Sequence, residues 1–372
     1  MSRTLAAFEA ARERLDALTR RPPPEGALAA GVALLAADGT ERAWLGGRDG
    51  PEGAPVADPG LRLRVASVTK MAVAATVLAH AGPRGPVDLD APLDPWPAGG
   101  AAPTMRHLLA HLSGLTDDAG YVVPPPQAPE AFVAAHPAAR SEHPPGTFFR
   151  YANLNTVLAG AVLERATGRP LGALVRDVVL RPAGVGGGLN WFGVADRARR
   201  LPAWQWRAGR HEATADRPGD DWGADLLWRD GAGVSMDGWR PGHAAWFSPQ
   251  GGLRASVVEL ARLARAYVPE EPPVEWRLDG ANGRDGGGLF RAYGPGLTIL
   301  DGHPAIGGRL AGHAGHALGV SCGAWRDLST GDAWAYALTG WPDRTEGLDD
   351  EAFLHPEEVA LLRLFAGSPA LP

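Results

Sequence analysis

The spacing of apolar residues near the N-terminus predicts a helix followed by a β-hairpin. Over residues 3–20, the apolar positions fall on one face of a helix, where they form a stripe of Leu5, Phe8, Leu15 and Leu18. Two strands, at 28–36 and 40–45, follow the helix and are joined through Asp38-Gly39, a dipeptide typical of tight hairpin turns.

The C-terminal part of the chain shows strand and helix patterns of the same kind. Ser256 and Glu259 form a capping box, which predicts the start of a helix. The last hairpin pairs 318–327 with 333–339, and a helix over 356–365 closes the chain. Because strands lie at both ends with helices between them, we expect an α/β fold of the α+β type.

The middle of the chain is predicted to contain mostly helices and long connections. Helices are expected at 105–111, 156–166 and 171–180. We therefore expect an α/β lobe made of residues 1–84 and 241–372, with a mostly helical lobe, 85–240, inserted into it. The active site is expected in the cleft between the two lobes.

One short segment of the first lobe has the residues of a nucleophilic site. Ser67 follows a short predicted strand, 61–66. It precedes residues 71–80, which contain no Gly, Pro or Asn that would interrupt a helix. Its hydroxyl group is therefore expected at the positive end of the helix dipole. Lys70 lies three residues further on, on the same helix face. Ser-x-x-Lys is thus predicted to be a nucleophile with a candidate base beside it.

The basic residues of the chain single out the same position. Lys70 is the one lysine among the 36 Lys and Arg residues. Arginine stays protonated at any ordinary pH, whereas a buried lysine beside a helix N-terminus can release its proton. Arg could not replace lysine at a position that needs a reversible proton carrier, so the single lysine points to such a position. The alternative is a surface lysine that falls here by chance.

A second pair of candidate residues follows a Pro-Pro-Gly turn. Tyr151 and Asn153 lie on the same side of the chain if that chain is extended. A phenol can carry protons when neighbouring cations favour its phenolate, and an amide can hold a substrate carbonyl. A buried tyrosine with a purely structural role is the alternative for Tyr151.

A third candidate segment, His313-Ala314-Gly315-His316, precedes the last hairpin. Its small residues allow a substrate to approach a strand edge closely. A backbone N–H of this edge and that of Ser67 could together form an oxyanion hole. A metal site at the two histidines would need an acidic third ligand or an HExxH arrangement, which the sequence lacks, so no metal is expected.

Composition and charge exclude several classes of protein. A chain of 372 residues with 45% hydrophobic content can bury a large core. Its net charge of −6 and the absence of a basic block argue against nucleic-acid binding. The single cysteine, Cys322, permits no internal disulfide. The charged N-terminus lacks the apolar region of a signal peptide, and no apolar run would span a membrane. A cytoplasmic protein is therefore expected.

The motifs together resemble those of a known superfamily. Their order and approximate spacing are similar to those of the serine beta-lactamase and penicillin-binding-protein-like superfamily: Ser67-x-x-Lys70, Tyr151-x-Asn153 and His313-x-Gly315. The chain most resembles the branch of class C beta-lactamases, D-alanyl-D-alanine carboxypeptidases and related esterases. The resemblance implies a beta-lactamase/transpeptidase-like fold, in which a central, mainly antiparallel sheet is flanked by the N- and C-terminal helices.

The resemblance also implies a role for each matched residue. Ser67 would be acylated by a carbonyl substrate, while Lys70 and Tyr151 exchange protons with the nucleophile and the leaving group. Asn153 would orient Lys70 and the substrate amide. The backbone N–H groups of Ser67 and His316 would donate to the oxyanion. Which of Lys70 and Tyr151 serves as the base in each step stays open, because the assignment is disputed for the corresponding residues of relatives.

These roles predict a serine hydrolase that acts on a small-molecule ester or amide and needs no cofactor. Many beta-lactamases have lysine at the position of His313, so this chain resembles the peptidases and esterases more. A catalytically retired member that serves as a binding or regulatory module is the alternative. Such a protein would be expected to have lost Ser67, Lys70 or Tyr151. No pattern in the sequence predicts the oligomeric state.

Overall fold

The computed structural model describes residues 2–123, 127–216, 239–342 and 354–368. Its helices are α1 (Arg3–Leu18), α2 (Thr69–Ala79), α3 (Met105–Leu109), α4 (Pro129–Ala135), α5 (Asn153–Thr167), α6 (Leu171–Val175), α7 (Val257–Tyr267) and α8 (Pro356–Ala366). Its strands are β1 (Ala29–Leu35), β2 (Glu41–Gly47), β3 (Leu63–Arg64), β4 (Gly188–Leu189), β5 (Ala203–Arg207), β6 (Arg210–Ala215), β7 (Leu253–Ala255), β8 (Trp276–Arg277), β9 (Ala292–Gly294), β10 (Leu297–Asp301), β11 (Arg309–Ala317), β12 (Val320–Asp327) and β13 (Ala333–Thr339). Within these ranges, no helix is both long and apolar enough to cross a membrane.

Eight strands, from both the N-terminal and the C-terminal parts of the chain, form one antiparallel sheet. Its order is β2-β1-β13-β12-β11-β10-β9-β8. The N-terminal strand β1 pairs with the late strand β13, so that Val32 lies opposite Tyr336. The predicted central antiparallel sheet is therefore confirmed.

The two faces of this sheet pack against different helices. Along β13, Trp334 and Tyr336 point into the core that contains α1 and α8, and the Trp334 ring stacks on that of Phe365 at 4.1 Å between centroids. The alternate residues Ala335 and Ala337 point into the core shared with α7 and α2. This alternation follows from the two-residue period of a strand. The expectation that the terminal helices flank the sheet is confirmed.

The structure differs from the sequence interpretation in several local elements. Helix α4 and the hairpin of β5 and β6 were not expected in the segment predicted to be helical. This hairpin lies against the end of the large sheet. The N–H of Gly340, which follows β13, donates to the backbone oxygen of Trp204 in β5 at 2.8 Å. Helix α5 begins at Asn153, three residues before its predicted start. The division into two lobes stays a prediction.

Candidate active site

Ser67 lies on a tight turn that connects strand β3 to helix α2. The turn, Ala66–Val68, is a short 3-10 helix immediately before α2. Ala66 has φ of +41°, a left-handed conformation that costs a non-glycine residue energy and must be held by its surroundings. Thr69 supplies part of that support: its hydroxyl donates to Ala66 O at 2.6 Å and accepts the N–H of Leu253 at 3.0 Å. Thr69 thus connects the Ser67 turn to strand β7, which holds the turn in place.

The ammonium group of Lys70 is buried beside the Ser67 hydroxyl. Only 2% of Lys70 is exposed. Its Nζ lies 2.9 Å from Ser67 Oγ, 2.8 Å from Asn153 Oδ1 and 2.9 Å from the backbone oxygen of Gln250. Burial, reinforced by the nearby charge of Arg64, lowers the pKa of Lys70 to about 7. At neutral pH a large share of Lys70 is therefore the free amine, which can accept a proton.

Asp117 orients the amide of Asn153, a contact that the sequence analysis missed. Its carboxylate accepts the Asn153 backbone N–H at 2.8 Å, the Asn153 Nδ2–H at 2.9 Å and the Leu154 N–H at 3.2 Å. Because Nδ2 donates to Asp117, the amide oxygen must face Lys70. Asp117 also caps the N-terminus of α5, where a carboxylate interacts favourably with the helix dipole. Burial nonetheless raises its pKa.

The Tyr151 hydroxyl reaches Ser67 from the other side. It faces the Ser67 side chain, while its ring stacks on His111 at 4.3 Å between centroids. Lys70 Nζ lies 4.9 Å from the centre of the Tyr151 ring. Burial raises the pKa of Tyr151 well above its usual value, and the nearby Ser67 hydroxyl only partly opposes this. Contrary to the expectation from the sequence, the surroundings of Tyr151 favour the neutral phenol.

His313 is buried and neutral. Its Nδ1 contacts the backbone oxygen of Ala314, which can only accept, so Nδ1 carries the proton and Nε2 accepts from the Tyr293 hydroxyl at 3.0 Å. Burial and the charge of Lys70 lower the pKa of His313 to about 3. Both ring nitrogens are therefore engaged within the protein, and the ring carries no charge at neutral pH.

Gly315 brings strand β11 into close contact with the Ser67 turn. A Cβ atom at this position would lie 2.6 Å from Val65 O and 3.0 Å from Ser67 N, closer than side-chain carbons approach. Any residue other than glycine would push the strand away from Ser67. The glycine is therefore needed for β11 to pack on the Ser67 turn, while the approach of a substrate to this strand edge stays a prediction.

The backbone of His316 faces away from the neighbouring strand β12. A two-residue turn, Leu318-Gly319, closes the hairpin, with Ala317 opposite Val320 and His316 opposite Ser321. Residues that flank a two-residue turn form a hydrogen-bonded pair, and such pairs alternate with non-bonded ones. His316 belongs to a non-bonded pair, so its N–H points to the other side of β11. Strand β10 pairs with residues 309–312, before His316 is reached.

The structure brings most of the predicted residues together around Ser67 Oγ. Lys70 Nζ hydrogen-bonds to Ser67 Oγ and to Asn153 Oδ1, the Tyr151 hydroxyl faces the Ser67 side chain, and Gly315 lies against the Ser67 backbone. The His316 side chain, in contrast, points to the opposite face of the sheet, where Nε2 contacts Glu358 at 2.7 Å. Among the described residues, no group of three His, Cys, Asp or Glu side chains could hold a metal ion.

The fold and this cluster define the beta-lactamase/transpeptidase-like class of proteins. The chain belongs to the Beta-lactamase family, whose profile matches residues 11–355. It is 34% identical over 197 residues to Esterase EstB of Burkholderia gladioli, a match that covers 46% of this chain and 50% of the esterase. The matched part therefore spans half of the length of that curated relative.

Solved structures show the same fold at low sequence identity. D-amino acid amidase from Ochrobactrum anthropi SV3, complexed with L-phenylalanine amide, has a TM-score of 0.70 at 20% identity, over 96% of this chain and 97% of the amidase. The octameric penicillin-binding protein homologue from Pyrococcus abyssi has a TM-score of 0.66 at 18% identity, over 98% and 78% of the two chains.

Proposed function

We propose that this protein is a serine hydrolase that cleaves esters or amides through an acyl-enzyme on Ser67. The 2.9 Å contact between Ser67 Oγ and Lys70 Nζ, with a Lys70 pKa of about 7, supports this most directly. Neutral Lys70 takes the hydroxyl proton while Oγ attacks the substrate carbonyl carbon. The backbone N–H groups of Ser67 and His316 stabilise the negative oxygen that forms.

Lys70 and Tyr151 have different parts in this proposal. Lys70 is the base, because its free amine is well populated at neutral pH. Tyr151 holds its proton tightly, so it serves as a relay: it passes the proton from Lys70 to the leaving alcohol or amine and is reprotonated in the same step. The C–O or C–N bond then breaks, and a water molecule attacks the acyl group by the reverse sequence.

The substrate is proposed to lack a carboxylate on its leaving group. His313 stands at the third motif but offers neither a positive charge nor an unoccupied N–H to such a carboxylate. Simple esters, and amides whose leaving amine carries no charge, fit this site better than dipeptides or beta-lactams, which carry a carboxylate there. The similarity to an esterase, and to an amidase in fold, is consistent with this substrate class.

A fluorophosphonate probe, followed by intact-mass spectrometry and peptide mapping, tests the nucleophile. A single adduct on Ser67 that is absent from the Ser67→Ala variant is expected. Hydrolysis of p-nitrophenyl acetate, D-alanine amide, D-alanyl-D-alanine and nitrocefin then tests the substrate class. We expect turnover of the first two and little of the others. A folded wild-type protein that takes up no probe would favour a retired enzyme instead.

A further inference from the structure

Behind strand β11, a buried carboxylate gathers several hydrogen bonds that the proposed reaction does not use. Glu358 lies on α8 and is fully buried. It accepts from His316 Nε2 at 2.7 and 2.9 Å, from the Tyr336 hydroxyl at 2.7 Å and from the His355 N–H at 2.9 Å. Burial alone would raise the pKa of Glu358. The interactions with His316, the His355 N–H and the Tyr336 hydroxyl are together stronger than this effect, so the pKa of Glu358 is lowered.

The residue that Glu358 binds is also the proposed second oxyanion donor. The His316 side chain extends to the face of the sheet covered by α8, while its backbone N–H lies in the plane of the sheet and points away from β12. Because the ring and the N–H share one Cα atom, fixing the ring restricts the direction of the N–H. The single Nε2–H of His316 lies between both oxygens of the Glu358 carboxylate, at 2.9 and 2.7 Å, and this bifurcated contact fixes the direction of the ring.

The opposite face of the same strand is fixed by the Ser67 turn. Gly315 packs against Ser67 N and Val65 O, and the Cys322 thiol on β12 donates to Val65 O at 3.2 Å. The strand is thus held from one side by the turn that carries the nucleophile and from the other by Glu358. Oxyanion donors must be placed in advance to within a few tenths of an ångström.

We propose that Glu358 is a positioning residue that holds the His316 N–H in the oxyanion hole through the His316 side chain. The C-terminal helix α8 would in this way contribute to the reaction rate without touching the substrate. The inference rests on the proposed function, since it requires that Ser67 be acylated.

The test compares Glu358→Gln with Glu357→Gln, a change of the neighbouring residue on the same helix. The Glu357 side chain instead pairs with Arg14 and Arg21, at the N-terminal end of the fold. With p-nitrophenyl acetate, Glu358→Gln should lower kcat about tenfold to hundredfold and leave KM within about twofold. That loss is smaller than the ~10²–10³-fold cost of deleting an oxyanion donor outright. Glu357→Gln should keep both constants within about twofold.

Phenylboronic acid provides a readout that a purely structural role would not change. It forms a tetrahedral adduct on a nucleophilic serine and places an oxygen in the oxyanion hole. Its inhibition constant should rise in Glu358→Gln by about the same factor as kcat falls. Equal inhibition constants in the two variants, or a folded Glu358→Gln with wild-type kcat, would overturn the proposal.

A second pair of variants decides the matter if Glu358→Gln does not fold. His316→Gln keeps an N–H donor near the position of Nε2, whereas His316→Ala removes it. The Gln variant should retain most of the wild-type kcat, and the Ala variant should lose about tenfold or more. Equal kcat values in these two variants would also refute the proposal. A wild-type protein that neither cleaves esters nor labels at Ser67 would instead refute the proposed function itself.

Discussion

Replacing Lys70 with Arg should abolish acylation while it keeps the positive charge. Burial lowers the pKa of Lys70 from 10.5 to about 7, a difference worth about 5 kcal/mol at about 1.4 kcal/mol per unit. At pH 7 roughly half of Lys70 is the free amine, compared with about one molecule in 3,000 at the unperturbed pKa. With a pKa above ~12, arginine has a neutral fraction below about one in 10⁵. The acylation rate should therefore fall by at least about 10³-fold.

Stopped-flow release of p-nitrophenol from p-nitrophenyl acetate measures this acylation step directly. In the wild type, the acylation rate should rise with pH through a midpoint near 7, because the base must be neutral. Lys70→Met is the matched control, since it removes the base without adding a charge or a bulkier group. Both variants should lose acylation. A folded Arg or Met variant within about tenfold of the wild-type rate would refute the assignment of Lys70 as base.

The remaining predictions concern Tyr151, Gly315 and Glu164. Tyr151→Phe should lower kcat about 10²-fold, the usual contribution of a proton-transfer group, with little change in melting temperature; an unchanged kcat would leave Tyr151 a structural role. Gly315→Ala should slow acylation and lower the free energy of unfolding by about 1–3 kcal/mol, because the added methyl group would collide with Val65 O and Ser67 N. Ester kinetics measure the first effect and denaturant titration the second. Burial raises the pKa of Glu164 from 4.5 to about 7, so between these values the folded protein binds the proton that the unfolded chain releases. Stability should then fall by up to about 3 kcal/mol as pH rises through this window, and Glu164→Gln should flatten the dependence measured by thermal unfolding.

The sequence predicted those elements whose signals lie within a few residues of each other. Asp38-Gly39 marks the β1–β2 hairpin, and the capping box of Ser256 and Glu259 starts α7 in the structure as expected. Ser-x-x-Lys likewise depends on a three-residue spacing on one helix face, which the structure bears out in the Ser67–Lys70 contact. Each of these features needs only local chain geometry.

The parts that the sequence did not predict depend on distant residues. Asp117 orients Asn153 across 36 positions of the chain, and no local spacing connects the two. The third partner of Lys70 is the backbone oxygen of Gln250, and every residue type carries such an oxygen. A composition or motif therefore gives no sign of it. The charge state of His313 follows from burial next to Lys70, which becomes visible only in the folded chain.

Burial explains why two groups with similar ordinary pKa values can take different parts in one reaction. Low polarity disfavours whichever form carries a charge, so it lowers the pKa of Lys70 and raises that of Tyr151. The two groups start within one unit of each other and end far apart, which supports the lysine as base and the phenol as proton relay. Lys70→Met offers an independent check through stability. Between pH 7 and 10.5 the unfolded chain binds the Lys70 proton that the folded protein lacks, so wild-type stability should rise with pH across this window. The Met variant should lack that rise, and equal slopes in the two proteins would show that Lys70 is charged in the folded state and cannot be the base.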